Sequence, residues 1–552
     1  MAPNFAAGAL TPQMGQFLNA INGFLKEQNE TALADFLVIE PPFNPTYQEM
    51  IQEVRQAYPK GSEDALEDKC AKALTVASQG LNGSANWTMF VKFMAQYLAY
   101  LRDVDSDPER YLETYELLYE LQKRANSALV HPSLGHIMTQ TVISCAKLIC
   151  RLAIGLDKQP ELIAHLKSNN PGGEDGGRET LPERAAETIR QALTTCLNDR
   201  TSDIGEDGRP QGKKRGIYII ANICLKIFFQ CRKTRNAEMI FTTIKNNSPP
   251  LAAYPKAQRV TYLYYLGRYW FQNNHFHRAQ LALNEAYNES PINERAIRQR
   301  RHILIYLITT NIITGRFPSD TIFQRPEAQG LREHFLPIMQ AIRSGNLTLF
   351  RQYLDLDGPA ASWFLHFRIL LQLRNRCEVL VWRSVIRKIW ILNGTRYEPN
   401  AKTAPLVDIN DILLIFRALE KQAQKPEQVA YIDPDLDGDD YGDEDPDSYL
   451  PTFSSVESIL SSLIDQGFLR GFIAHRQQKF VITGAKQSGG DVLAAGFPSP
   501  WRVVEGKVAG DEVVPGWKKM ANGGLGMGMG GAGVFGGGMV VNLSGARAAG
   551  AA

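Results

Sequence analysis

From Met14 onward apolar side chains recur at intervals of three and four, the spacing that lines one face of a helix. Phe17, Leu18, Ile21, Phe24 and Leu25 open the pattern, and Tyr111, Tyr115, Leu118 and Leu121 repeat it. It predicts helices over 14–25, 32–37, 47–57, 65–78, 87–101, 108–125 and 136–156, with almost no period-two alternation. Two stretches break it, 168–182 and 198–216, where Gly, Pro and Asn mix with charge; both read as mobile loops around one helix, at a domain boundary. Beyond 217 the helices come in pairs. Leu263, Leu266, Gly267, Trp270, Ala279, Leu283, Ala286 and Pro291 fit the tetratricopeptide spacing, in which small residues let two antiparallel helices approach closely. Thirty-four residues on there is no clean copy, since Arg301 stands where glycine is wanted, so a degenerate solenoid is expected. The stretch 297–314 is apolar almost all round and should be central; 377–392 buries Val379, Val385, Ile386, Ile389 and Trp390 and turns Arg376, Arg383, Arg387 and Lys388 outward.

Near the C-terminal end the period changes. Val456, Ile459, Leu460, Leu463 and Ile464 form one helical face, with Ser454 and Glu457 spaced as a capping box and Gly467 as a stop. Alternation over 468–473, a polar turn 475–478 and a returning strand 479–483 follow, so a helix and hairpin make a small winged helix. The exposed face of that helix carries Glu457, Ser458, Ser461, Ser462 and Asp465 and no base, which sets it against a role in a DNA groove. The expected fold is mostly α: a helical region over 1–200, a degenerate tetratricopeptide-like array over 201–420, a winged helix over 421–500 with an acidic insert at 433–447, and a disordered Gly-rich tail over 501–552.

Charge sharpens this picture. The chain of 552 residues is nearly neutral at +2, yet 213–400 holds 28 Lys and Arg against 11 Asp and Glu. Such a basic body suits phosphates or acidic polypeptides. Lys213-Lys214-Arg215, Arg232-Lys233 with Arg235, and Arg295, Arg298, Arg300 and Arg301 lie in it, beside the Arg376, Arg383, Arg387 and Lys388 stripe. On and after the hairpin, Arg470, His475, Arg476, Lys479 and Lys486 could touch a nucleic-acid backbone without reading its sequence. The insert matches a calcium loop by letter at Asp433, Asp435, Asp437, Gly438 and Glu444, but Asp440 occupies the usual aliphatic position and Pro434 and Pro446 oppose flanking helices; a solvated insert or a docking strip for a basic partner is the better reading. His275 and His277 are two apart and share no helical face, so no metal is expected there. Seven scattered cysteines form no CxxC pair, which suits a reducing compartment. No apolar run reaches the length of a membrane span, and none of the common nucleotide-binding, hydrolase or metalloprotease motifs is present; a soluble, non-catalytic protein without cofactor is expected.

Four strings carry a resemblance: YLGRYWFQNNHFHRAQLALNEAY (265–287), RQRRHILIYLI (298–308), LVWRSVIRKIWIL (380–392) and VESILSSLIDQGFLRGFIAH (456–475). They are similar to PCI domains, in the branch that holds the Thp-type subunit of nuclear messenger-RNA export and its relative, signalosome subunit twelve, over about 85–497. The resemblance implies a scaffold in the nucleus, extending to the nuclear pore and the cytoplasm. It further implies a large Sac-type partner along the array and wing, a small acidic Dss/Sem-type clamp, and RNA or DNA backbone as a further ligand. A signalosome-like deneddylating assembly is the alternative setting, and a calcium-responsive regulator a third reading.

Overall fold

A computed structural model of the chain describes residues 13–80, 85–104, 107, 110–159, 161, 180–200, 204–399, 404–423 and 450–507. The insert 433–447, its calcium-loop letters and the tail beyond 507 lie outside these residues. The first helices are α1 (Gln13–Glu27), α2 (Glu30–Phe36), α3 (Pro45–Ala57), α4 (Glu63–Ala73), α5 (Thr75–Gln79), α6 (Thr88–Asp103), α7 (Tyr111–Leu129), α8 (Thr139–Asp157) and α9 (Leu181–Leu197). Then come α10 (Ile217–Gln230), α11 (Ala237–Asn247), α12 (Lys256–Gln272), α13 (Phe276–Glu289), α14 (Ile297–Ile313), α15 (Asp320–Phe323), α16 (Leu331–Ser344), α17 (Leu347–Tyr353), α18 (Ala361–His366) and α19 (Leu370–Asn393). Through the middle of the chain the long helices pack on their chain neighbours, α6 on α7, α9 on α10, α12 on α13 and α13 on α14, as a solenoid requires. One continuous apolar core runs from Met14 to Phe497.

Gly267 shows why the α12–α13 pair is so close. A Cβ there would come 2.5 Å from Leu283 Cγ, so only glycine lets the helices meet at this crossing. Gly267→Val should therefore lower stability by about 1–3 kcal/mol through overpacking, read from urea denaturation with the slope unchanged. Central burial of α14 agrees with the apolar pattern, Ile303, Ile305 and Ile312 being fully buried. One helical run, Gly135–Asp157, is long and apolar enough to cross a membrane, contrary to the sequence reading; 67% of its apolar window is buried inside the protein, as for a core helix.

The winged helix consists of β1 (Leu406–Asp408), α20 (Ile409–Ala423), α21 (Phe453–Asp465), β2 (Gly471–Ala474) and β3 (Lys479–Ile482). The sheet order is β1-β3-β2, all antiparallel, with Val407 opposite Phe480 and Phe472 opposite Val481. Gly467, at φ +78, ends α21 as expected. Its start differs: the cap is Thr452, reciprocally bonded with Ser455, rather than Ser454 with Glu457. Two short helices, α22 (Val492–Gly496) and α23 (Pro500–Lys507), follow. The expected disorder from 501 is thus corrected over 501–507, where Trp501 lies beside the Arg316 guanidinium and the Lys507 ammonium reaches the Asp465 carbonyl.

The array flows into the wing along α19. This helix packs on α14, α16 and α17 and on α20, α21 and β1. Trp390 meets Phe480 of the sheet edge-on at 6.1 Å and Phe497 at 6.4 Å. Behind it, the Thr395 amide donates to the Leu406 carbonyl, which ties the residues just after α19 to the first strand.

Candidate interface for nucleic acid and partners

The hairpin presents cations because its apolar side is spent on the core. Leu469, Phe480 and Ile482 are buried against Val456, Leu460 and Leu463 of α21, which leaves Arg470 and Arg476 on the surface and Lys479 half-buried. Lys486 is exposed in the turn after β3. His475 is engaged: its Nδ1 lies 2.7 Å from Glu457 Oε1, and its ring faces Phe453. The Glu457 carboxylate, which opposed groove binding in the sequence, is therefore folded back onto the wing. The structure gives this surface Arg470, Arg476, Lys479 and Lys486 as cations, with His475 joined to Glu457 of α21.

The α19 stripe divides. Arg376 is exposed, and Arg387 and Lys388 are exposed one turn and more beyond Arg383. Arg383 itself is a clip, donating through one Nη2 to the Phe497 and Pro498 carbonyls at 2.8 Å each. Burial, with the neighbouring Arg387 guanidinium adding to it, pulls its pKa down to about 10. It still carries its charge at neutral pH, but its donors are committed to the chain segment after the wing.

Several other members of the basic body also turn inward. Lys213 and Lys214 are buried, the Lys213 ammonium reaching the Val130 carbonyl, which corrects the reading of 212–216 as a mobile loop. Arg300 is buried and donates to Glu327 at 2.9 and 3.0 Å and to the Ser290 carbonyl, while Arg301 donates to the Glu327 and Gln329 carbonyls. Arg268, which the sequence did not mark, stands over the rings of Phe229, Tyr264 and Tyr306 at 4.8–5.5 Å, with its Nε buried and unpartnered. Arginines at i+3 and i+4 along an array helix look alike in sequence; only the helices packed against them decide which reach water.

Nothing among the described residues gathers three or more metal-ligating side chains. His275 stands at the N-cap position of α13 without a side-chain capping bond and packs on Trp270, and His277 faces Trp501. The cysteines are free, and burial raises the thiol pKa of each, that of Cys150 to about 11.

No family model matches the chain. It is similar to a PCI domain-containing protein of Schizosaccharomyces pombe, 24% identical over 494 residues, which cover 88% of this chain and 96% of that one. It is also similar to a protein named as a CSN12 homolog in Gibberella zeae, 28% identical over 54% of this chain and 58% of that one. PCI domain-containing protein 2 of Danio rerio is 26% identical over 54% of this chain and 62% of its own length. The chain thus spans nearly all of the first relative and about three fifths of the other two. These likenesses agree with the architecture seen here, a helical-repeat array running into a winged helix.

Proposed function

We propose that this relative of PCI domain-containing proteins is a non-catalytic scaffold subunit of a multi-subunit complex. One observation carries the reading: the rod of helices and the wing share one core through Trp390, so partners gripping either part are held at a fixed spacing. Such a body positions other macromolecules through its surfaces. In its finer form, the subunit serves transcription-coupled messenger-RNA export in the nucleus. A large Sac-type scaffold lies along array and wing, a small acidic Dss/Sem-type protein binds the basic body, and nucleic-acid backbone binds Arg470, Arg476, Lys479 and Lys486. A second reading, favoured equally by the relatives named as CSN12 homologs, places it with a signalosome-like assembly.

Quantitative mass spectrometry of what co-purifies with the full-length chain at native abundance separates these readings. Stoichiometric export-scaffold subunits support the first, signalosome subunits the second, and recovery of the chain alone contradicts both. For the wing, Arg470→Glu with Arg476→Glu should weaken binding of a single-stranded RNA similarly for every sequence, each lost phosphate contact lowering the salt slope by about 0.7. A change confined to one sequence would contradict backbone recognition.

A further inference from the structure

Beside the Arg383 clip, within the basic body, is a cavity of about 250 Å³. Its floor is apolar, from Ile342 and Leu380, and Pro500 at the start of α23 closes one side. Its rim holds four cations: Arg343 from α16, and Arg383, Arg387 and Lys388 from α19. Among the described residues no carboxylate lines it. Two of these cations are held in place. The Arg343 guanidinium stands 5.0 Å over the Phe317 ring, and Arg383 is fixed by the two carbonyls that it clips, with its Nε buried and unpartnered.

Four like charges line this one pocket and repel, Arg383 half-buried and Arg343, Arg387 and Lys388 exposed at its mouth. An anion relieves this arrangement. Size selects among anions: drug-sized ligands need roughly 300–1,000 Å³, so this space suits one small group and not a whole nucleotide cofactor. Shape selects further. A carboxylate is planar, singly charged and satisfied by one guanidinium, whereas a phosphate carries about −1.5 to −2 charges and three acceptor oxygens aimed in different directions. Several cations from two helices lining one pocket match the second.

We propose that this cavity is a phosphate-binding site, taking a terminal or free phosphate on Arg343, Arg387 and Lys388, with Arg383 as its fixed back wall. An occupant touches α16, α19 and Pro500 together, and so ties α23 to the long helix at the junction of array and wing. The site lies in the basic body that the scaffold reading gives to an acidic partner, but its test is separate: the chain could bind phosphate and capture no partner, or the reverse.

Isothermal titration of the full-length chain with pyrophosphate tests it. One saturable site per chain is expected, weakened about tenfold or more in Arg387→Gln/Lys388→Gln. The same charge loss at Lys245→Gln/Lys256→Gln, elsewhere on the array, should leave it unchanged, and an unchanged melting temperature should show all variants folded. Absence of a saturable site in the low millimolar range, or equal weakening by the two double variants, overturns the proposal. A second arm identifies the source: displacement of pyrophosphate by a 5′-phosphorylated oligonucleotide but not by its 5′-hydroxyl form assigns a strand end, and displacement by neither assigns a free phosphate.

Discussion

Trp390→Ala is expected to lower the stability of the protein by about 3–5 kcal/mol, the cost of removing a large aromatic from a closed core. Trp390 is only 4% exposed and meets Phe480 of the sheet and Phe497 beyond it, so its loss opens a cavity at the junction of array and wing. Urea denaturation measures the drop, and limited proteolysis should then cut within 394–405, where α19 gives way to β1. Leu392→Ala is the control. Leu392 lies on the same helix but is 77% exposed, and its truncation should change stability by no more than about 0.5 kcal/mol. Equal, small effects of the two would mean that the wing hangs from the array by its connection alone.

Glu327→Gln should be nearly as damaging, at about 3–5 kcal/mol, because it leaves the Arg300 guanidinium buried without a counter-charge. Removing both partners together, Arg300→Met with Glu327→Leu, should recover most of that loss, since well-packed apolar side chains replace a buried pair at little net cost. The pair also sets a pH dependence. Burial alone would raise the Glu327 carboxyl, but the Tyr287 hydroxyl, the backbone and the Arg300 guanidinium outweigh it and hold the group below its ordinary 4.5. A carboxyl depressed in the folded state contributes stability above its unfolded pKa and loses it as pH falls through the lowered folded value. The native protein should therefore weaken toward pH 4 and below, and Glu327→Gln should show a shallower acid limb. Urea melts of both proteins at neutral and acid pH decide this.

Much of the fold could be read from the chain because helix periodicity is local. Gly267 against Leu283, the buried course of 297–314 and the Gly467 stop follow from spacing and backbone freedom alone. What sequence missed was set by partners far along the chain. β1 is three residues long, too short to show a period, and exists because Val407 pairs with Phe480 across the sheet. The α21 cap moved from Ser454 to Thr452 because both offer a hydroxyl with a polar partner three residues on, and local letters do not rank them. Arg383 reads as one of an exposed stripe, yet the carbonyls of Phe497 and Pro498 claim it. Lys213 and Lys214 look like a solvated loop until the α7 end and its turn close over them. The basic excess is accordingly less of a surface than its count suggests, since Lys213, Lys214 and Arg300 are buried and Arg383 is spent on backbone carbonyls.

A scaffold of this kind must move as one body, and native-state hydrogen exchange reads that directly. The amides of β3 and of the second half of α19 should exchange only with global unfolding, at the same free energy as α12 to α14 and with the same denaturant dependence. Exchange of β3 at a distinctly lower free energy, while the array helices stay protected, would show the wing opening by itself and would contradict the account.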